Sequence, residues 1–102
     1  NKIILIEIND ISCVFSHKKG SMIKVKDGKK YFTTVRISYM ESEFSSYGFF
    51  RTSGSCLLNI KFIKEIIEEN DKFYAKTEFG DKIAISKRKL RILKKALKFN
   101  KK

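Results

Sequence analysis

The segment FFRTSGSCLLNIKFIKEI (Phe49–Ile66) carries the strongest apolar pattern of the chain and interrupts it with polar residues. Two aromatic residues open the segment, and a regular apolar run closes it from Cys56 to Ile66. Between them lie Arg51 and four small polar or glycine residues, 52–55, a composition typical of turns. We predict that Phe50 and the run from Cys56 enter the core and that residues 51–55 form an exposed loop.

Short segments with the alternation of β-strands make up most of the remaining chain. Phe73, Ala75 and Thr77, for example, are each separated by one residue, which is the period of a strand with one solvated face. Turn signals at Asp27-Gly28 and at Gly80 separate neighbouring segments. We predict a mainly β, antiparallel fold with strands at roughly 2–8, 11–16, 22–27, 30–35, 56–59, 62–68, 73–79 and 82–86.

Two segments have helical signals. Ser38 and Glu41 have the spacing of a capping box, and the apolar residues around them recur at helical spacing over 37–44. Ser86 is a good N-cap residue, and Leu90, Leu93 and Leu97 form one apolar stripe after it. We therefore predict two short helices, the second of which begins at Ser86.

The length of 102 residues corresponds to one domain, which we place at residues 1–102. Since the first residue is Asn1 rather than methionine, we expect this domain to be the C-terminal part of a longer protein. No apolar run approaches the about 20 residues of a membrane helix, so we expect no membrane contact by this domain.

Positive charge is abundant and unevenly distributed. Residues 1–50 carry 8 Lys/Arg and 5 Asp/Glu, whereas residues 51–102 carry 15 and 6, and no acidic residue follows Lys82. A net charge of +12 favours a polyanionic partner such as nucleic acid, because binding releases condensed counterions. The alternative is a lysine-rich surface that is only solvated.

No set of residues has the pattern of a catalytic or metal centre. His17 is the only histidine and lies among polar residues, where a surface loop is the more frequent setting. Cys13 and Cys56 lack zinc spacing and lie among apolar residues, so we expect reduced core thiols, although a disulfide between them stays open. We predict that the domain is not an enzyme and uses no cofactor.

Three basic or polar loops are the candidate contacts with DNA. They are 16–21, with Lys18, Lys19 and Ser21; 51–55, with Arg51, Ser53 and Gly54; and 86–89, with Ser86, Lys87, Arg88 and Lys89. In the third loop a strand turns into a helix, whose free N–H groups and positive dipole end suit a phosphate. An arginine there can also hold a guanine edge with two hydrogen bonds.

The chain resembles the LytTR DNA-binding domain of bacterial LytR/AlgR-type response regulators. The resemblance lies in residues 50–66, which follow the family pattern F-x-R-x-H-R-S-Y-L-V-N-L-x-x-I-x-x-I, and in 83–89, which resemble its I-x-V-S-R-R-x. It covers nearly the whole chain. The most specific elements are the Leu58-Asn59 pair with the following isoleucines, and the Ser86-x-Arg88 motif.

The resemblance implies an elongated stack of small antiparallel sheets with two short helices, whose loops enter successive major grooves of promoter DNA. It assigns base reading to Arg88, neighbouring contacts to Ser86 and Lys87, a second groove to the loop Lys18–Ser21, and a structural amide to Asn59. It further implies a sequence-specific output domain of a cytoplasmic regulator, an upstream receiver or sensor domain, and a dimer on paired DNA repeats.

The chain departs from the family pattern at Ser53-Gly54, where the family has His followed by Arg or Asn. Short, uncharged residues leave few side-chain contacts in this loop. One alternative is that the contact shifts to Arg51 or Lys61, or that the domain reads another sequence or binds more weakly. The other is that specific DNA binding is lost or weakened and the domain is a regulatory, protein-interaction module.

Overall fold

The computed structural model describes residues 2–100 as an elongated domain with extents of 45 × 30 × 25 Å. Eight strands and two α-helices follow one another as β1 (Ile11–His17), β2 (Gly20–Val25), β3 (Lys30–Thr33), α1 (Ile37–Phe44), β4 (Phe49–Ser53), β5 (Cys56–Asn59), β6 (Ile63–Glu69), β7 (Lys72–Thr77), β8 (Lys82–Ile85) and α2 (Lys87–Asn100). Three-residue 3-10 helices occupy Ile8–Asp10, Ser45–Tyr47 and Ile60–Phe62.

The strands form two antiparallel sheets, as predicted. The first has five strands in the order β3-β2-β1-β5-β4, and the second has three in the order β6-β7-β8. The glycine turns lie where the sequence indicates them: Gly28 joins β2 to β3 with φ 95°, and Gly80 joins β7 to β8 with φ 92°. Positive φ explains why glycine occupies both positions.

Apolar residues on one face of the first sheet meet the second sheet. Cys13, Cys56 and Leu58 pack with Ala75 and Ile83 in a buried cluster. Both thiols are free, in agreement with the prediction of core cysteines. Burial raises the pKa of Cys13 to about 12 and that of Cys56 to about 11, because a thiolate would lose its hydration there.

Helix α1 covers the opposite face of the first sheet. Ile37 and Met40 are buried in a cluster with Val14 and Leu57, which confirms the helix predicted over 37–44. The predicted capping box is wrong, however. The N-cap is Arg36, and Ser38 lies inside the helix, since the helix begins at Ile37, two residues earlier than a Ser38 cap would place it, and buries that side chain.

Helix α2 closes the end of the second sheet. Leu90 and Leu93 are buried against Ile85, and Leu97 packs at the edge of this cluster. The helix begins after Ser86, whose Oγ accepts a hydrogen bond from Lys89 N–H at 3.2 Å. The predicted N-cap and apolar stripe are therefore confirmed.

Two buried polar contacts join parts of the chain that are distant in sequence. The Lys24 ammonium on β2 pairs with the Asp81 carboxylate in the turn before β8, and both side chains are largely buried. Asn59 is 1% exposed, and its Nδ2 donates to the Ile11 carbonyl oxygen at 2.9 Å. The first contact joins the two sheets, and the second joins the end of β5 to the start of β1.

The predicted strand at 2–8 is wrong. Residues 2–7 have no regular secondary structure and belong to neither sheet, and Ile3 and Leu5 are 89% and 90% exposed. Hydrophobic alternation alone cannot make a strand, because its backbone groups require a neighbouring strand to pair with. The edge strands of the first sheet are instead β3, which pairs with β2, and β4, which pairs with β5.

Candidate nucleic-acid interface

The tight hairpin turn between β1 and β2 presents two lysines to solvent. His17 pairs with Gly20, so Lys18 and Lys19 form the two-residue turn, and both are exposed. Ser21 was predicted as a contact from this loop, but its side chain is fully buried and its Oγ donates to the Val35 carbonyl at 2.7 Å. Ser21 is therefore a buried structural residue, and Lys18 and Lys19 are the exposed side chains of this turn.

The second candidate loop is shorter than predicted. Strand β4 continues to Ser53, and Thr52 is fully buried, so the exposed turn consists of Gly54 and Ser55. The prediction of an exposed loop over 51–55 is therefore wrong. Polar composition indicated a loop, but Thr52 enters the core because its hydroxyl donates to the Cys56 carbonyl at 3.5 Å.

Arg51 lies on β4 and its side chain is directed at protein groups. Its Nε donates to the Ser53 carbonyl at 2.9 Å, its Nη2 to the Gly54 carbonyl at 2.8 Å, and its Nη1 to Glu41 Oε1 on α1 at 2.6 Å. The side chain is 17% exposed. Three of its donor groups are thus used within the domain.

The third candidate loop is the junction between β8 and α2. Ser86, Lys87 and Arg88 are exposed, and Lys89 is half-buried with its Nζ 5.7 Å from the centre of the Phe50 ring. Since the Ser86 hydroxyl caps the helix through Lys89 N–H, it holds the first turn of α2 in place. Arg88 is exposed directly at this helix start.

The turn between β4 and β5 contacts both basic segments. Ser16 N–H at the end of β1 donates to the Ser55 carbonyl at 2.9 Å. On the other side, Ser53 lines a cleft of about 270 Å³ together with Ser86 and Lys87. The structure therefore brings the three predicted segments to one continuous surface, which we call the basic edge: Lys18, Lys19, Ser53, Gly54, Ser55 and Ser86–Lys89.

Lys61 lies apart from the basic edge. It belongs to the 3-10 helix that follows β5, at the opposite end of that strand from Ser55, and it lines a cleft of about 660 Å³ with Tyr47 and Ile63. The basic turns do not line this cleft. The structure thus does not bring Lys61 together with the other candidate residues.

Two basic residues outside the predicted contacts extend the basic edge along α2. Arg91 and Lys94 line a small cleft with Lys87, beside Phe73 and Leu90. Lys87, Arg91 and Lys94 are spaced i, i+4, i+7, which places them on one helix face. The spacing of these three residues is a sequence signal of a basic helix face, on the side of α2 that the leucine stripe leaves exposed.

Other kinds of site receive no support from the described side chains. In residues 2–100, no three His, Cys, Asp or Glu side chains come together as metal ligands would. No helix in that part of the chain is long and apolar enough to cross a membrane. His17 is exposed, and its ring contacts the Phe32 ring at a centroid distance of 5.1 Å.

Comparison with known proteins gives a consistent result. A profile of the LytTr DNA-binding domain family matches residues 1–98. No curated protein matches the chain in sequence. A solved structure, the LytTr DNA-binding domain of a protein named as a methyl-accepting/DNA response regulator from Bacillus cereus, superposes with a TM-score of 0.80 at 16% identity, over 92% of this chain and 86% of that one. The chain belongs to the LytTR family of DNA-binding domains.

Proposed function

We propose that this domain binds double-stranded promoter DNA in a sequence-specific manner, as the output domain of a bacterial transcriptional regulator. The observation that carries this proposal is the contact of the β4–β5 turn with both basic segments, through Ser55 on one side and Ser53 on the other. Because the resulting surface is continuous and positively charged, it attracts the phosphate backbone and releases its counterions on binding.

The residues of the basic edge divide into two roles. Lys18, Lys19 and Lys87 are exposed ammonium groups, which suit phosphate contacts that position the domain without reading sequence. Arg88 lies at the helix start, where its planar guanidinium can form two hydrogen bonds to a guanine edge. Ser86 and Lys89 flank it, and the free N–H groups of the first turn of α2 provide a further phosphate site.

The dimensions of the domain suit contacts in two grooves. Its long axis of 45 Å exceeds the distance of about 34 Å between successive major grooves on one side of a duplex. The β1–β2 turn would enter one groove and the β8–α2 junction the next, with the small β4–β5 turn crossing the backbone between them. Gly54 and the serine hydroxyls of this turn are small, so they would contact the DNA backbone only at short range.

The biological setting follows from the same proposal. A regulator of this kind acts in the cytoplasm and receives its signal from an upstream receiver or sensor domain. Two copies would occupy paired DNA repeats as a dimer. A monomeric domain would bind a single repeat more weakly, because the second contact no longer benefits from a high effective concentration.

The proposal is tested first by selecting preferred duplexes from a random-sequence DNA library and measuring affinity for a selected duplex and its scrambled version. We expect a clear preference for the selected duplex and an affinity that falls steeply with salt, by a slope of about 0.9 per phosphate contact. Lys64→Ala is the matched charge control, since Lys64 is exposed on β6 and lines the cleft far from the basic edge.

Arg88→Ala distinguishes base reading from general attraction. We expect it to weaken binding to the selected duplex by about 1–3 kcal/mol and to change binding to the scrambled duplex much less. Lys64→Ala should leave both affinities near wild type. No enrichment of any sequence, a flat salt dependence and an inert Arg88→Ala would contradict the proposal and support a protein-interaction module instead.

A further inference from the structure

We infer that Arg51 is a positioning residue, which holds the β4–β5 turn in its DNA-facing conformation together with Glu41 and does not itself contact DNA. This inference rests on the proposed function, because the turn is part of the basic edge. Arginine in a DNA-binding domain is ordinarily assigned to phosphate or base contacts, and the sequence alone supports that assignment here. The observed hydrogen bonds point to a different role.

Two N–H groups of the Arg51 side chain are directed at backbone carbonyl oxygens. Nε and Nη2 donate to the carbonyl oxygens of Ser53 and Gly54, the last residue of β4 and the first residue of the turn. The planar guanidinium presents these two N–H groups in a fixed geometry, so both carbonyls are oriented together. Lysine has one flexible ammonium and cannot reproduce this arrangement.

The Arg51 guanidinium is held in place by the Glu41 carboxylate. Glu41 Oε1 on α1 accepts from Nη1 at 2.6 Å, and Arg51 is 17% exposed while Glu41 is 44% exposed. Since the carboxylate neutralises the arginine, the pair adds little net attraction for phosphate. Its contribution is geometric, because it links a helix of the core to the turn.

The β4–β5 turn has few interactions of its own that could fix its backbone. Ser53, Gly54 and Ser55 have small side chains, and glycine gives the unfolded turn much conformational freedom. Apart from the arginine, the turn is held by Ser55 N–H donating to Ser53 Oγ at 3.2 Å and by the bond from Ser16. Ordering a flexible turn on binding would lower the affinity for DNA. A turn that makes few side-chain contacts therefore has to hold its backbone in the binding conformation already in the free protein.

The sign of one substitution separates positioning from direct contact. If Arg51 bound DNA, Glu41→Ala would release it and remove a negative charge, so affinity for DNA would rise. If Arg51 positions the turn, Glu41→Ala loosens it and affinity for the selected duplex falls. Glu43→Ala is the matched control, because Glu43 is exposed on the same helix, carries the same charge and forms no ion pair among the contacts described for residues 2–100.

We expect Glu41→Ala to bind the selected duplex about fivefold more weakly than Glu43→Ala, and Arg51→Lys about tenfold more weakly than wild type, as for one or two lost hydrogen bonds of ordinary net strength. The salt slope of both variants should stay at the wild-type value, since no phosphate contact is removed. Amide hydrogen exchange at Gly54 and Ser55 should accelerate in Arg51→Lys, whereas exchange in β7, which does not contact this turn through its backbone, should not change.

The possible outcomes are distinguishable. Glu41→Ala binding as tightly as Glu43→Ala, or more tightly, overturns the inference and leaves the proposed function intact, as does Arg51→Lys with wild-type affinity. A salt slope reduced by about one in Arg51→Gln, which removes the charge that lysine keeps, assigns Arg51 to a phosphate and also overturns it. A wild-type domain without preference for any duplex refutes the proposed function itself, and the inference with it. Glu41→Ala alters a half-exposed side chain, so it keeps the test valid if Arg51→Lys does not fold.

Discussion

Asn59→Ala is expected to destabilise the domain more than any exposed substitution of the same type. Asn59 lies at the end of β5 and is 1% exposed. Its Nδ2 donates to the Ile11 carbonyl at 2.9 Å, and its Oδ1 accepts from Lys61 N–H at 3.3 Å. Alanine removes both bonds and cannot replace either of them.

The magnitude follows from the burial of the two partners. Ile11 is 2% exposed, so water cannot readily replace the donor that its carbonyl loses, which costs about 1–3 kcal/mol. The longer, partly buried bond to Lys61 adds about 0.5–1 kcal/mol. Together these contributions lower the free energy of unfolding by about 1.5–4 kcal/mol, which in a domain of this size lowers Tm by about 6–30 °C.

Urea denaturation followed by circular dichroism measures this change, with thermal denaturation as a second readout. Asn70→Asp is the control, because Asn70 has φ 52° in the turn between β6 and β7 and aspartate tolerates the left-handed conformation. The control should change stability by less than about 0.5 kcal/mol. An Asn59→Ala variant that loses no more than the control, with an unchanged m-value, would refute the reasoning.

Asn59→Asp tests the hydrogen bond to the Ile11 carbonyl separately, and its effect on the free energy of unfolding depends on pH. The introduced carboxyl would be buried against the Ile11 carbonyl, so its folded-state pKa would be raised above the unfolded value. Only the protonated form donates, so stability relative to wild type is highest below the unfolded pKa and is lost as pH rises through the folded pKa. A constant difference from wild type between pH 4 and 8 would show that donation to Ile11 is unimportant.

Two further predictions concern buried groups. Gly20→Ala should prevent folding or cost more than about 3 kcal/mol, because a Cβ would overlap the Thr33 carbonyl oxygen on the neighbouring strand; Gly54→Ala, with open space around it, should be nearly neutral by urea denaturation. The raised pKa values of Cys13 and Cys56, about 12 and 11 against an ordinary 9.0, stabilise the fold fully below pH 9 and progressively less above it. Urea denaturation at pH 8 and 10 should show a smaller loss in Cys13→Ala than in wild type.

Local signals predicted those elements whose determinants are also local. The turns at Gly28 and Gly80 require a backbone conformation that glycine adopts readily, and the start of α2 depends on Ser86 three residues before Lys89. In each case the residues that specify the structure are close together in the chain. Asn59 differs, because its partner Ile11 lies 48 positions away, and its structural role was indicated only by the resemblance to the family pattern.

Elements whose determinants are distant in the chain were predicted wrongly. The N-terminal segment has strand-like residues at Ile3 and Leu5 but no neighbouring strand, whereas β4 ends in polar residues and still pairs with β5. Pairing is a property of two segments, so neither sequence alone contains it. Ser21 illustrates the same limit at one residue, since its burial depends on the Val35 carbonyl 14 positions away.

Net charge overstates the basic surface in this domain, because part of the charge is neutralised internally. Arg51 pairs with Glu41, Lys24 with Asp81, and Lys82 with Glu69, so these cations are directed at carboxylates of their own fold. The cations of the basic edge have no such partner among the described ion pairs. A phosphate therefore encounters the lysines of the β1–β2 turn and the start of α2.

The polar interruption of the segment 49–66 thus has two separate causes. Thr52 and Arg51 are polar because an edge strand must satisfy the bend that follows it, through bonds to Cys56, Ser53 and Gly54. Gly54 is small although the space around it is open and its backbone conformation is ordinary, so folding does not require a glycine there. If the turn lies on the DNA backbone, a larger residue would hold it away from the phosphates, and close approach of the chain to DNA then explains the glycine.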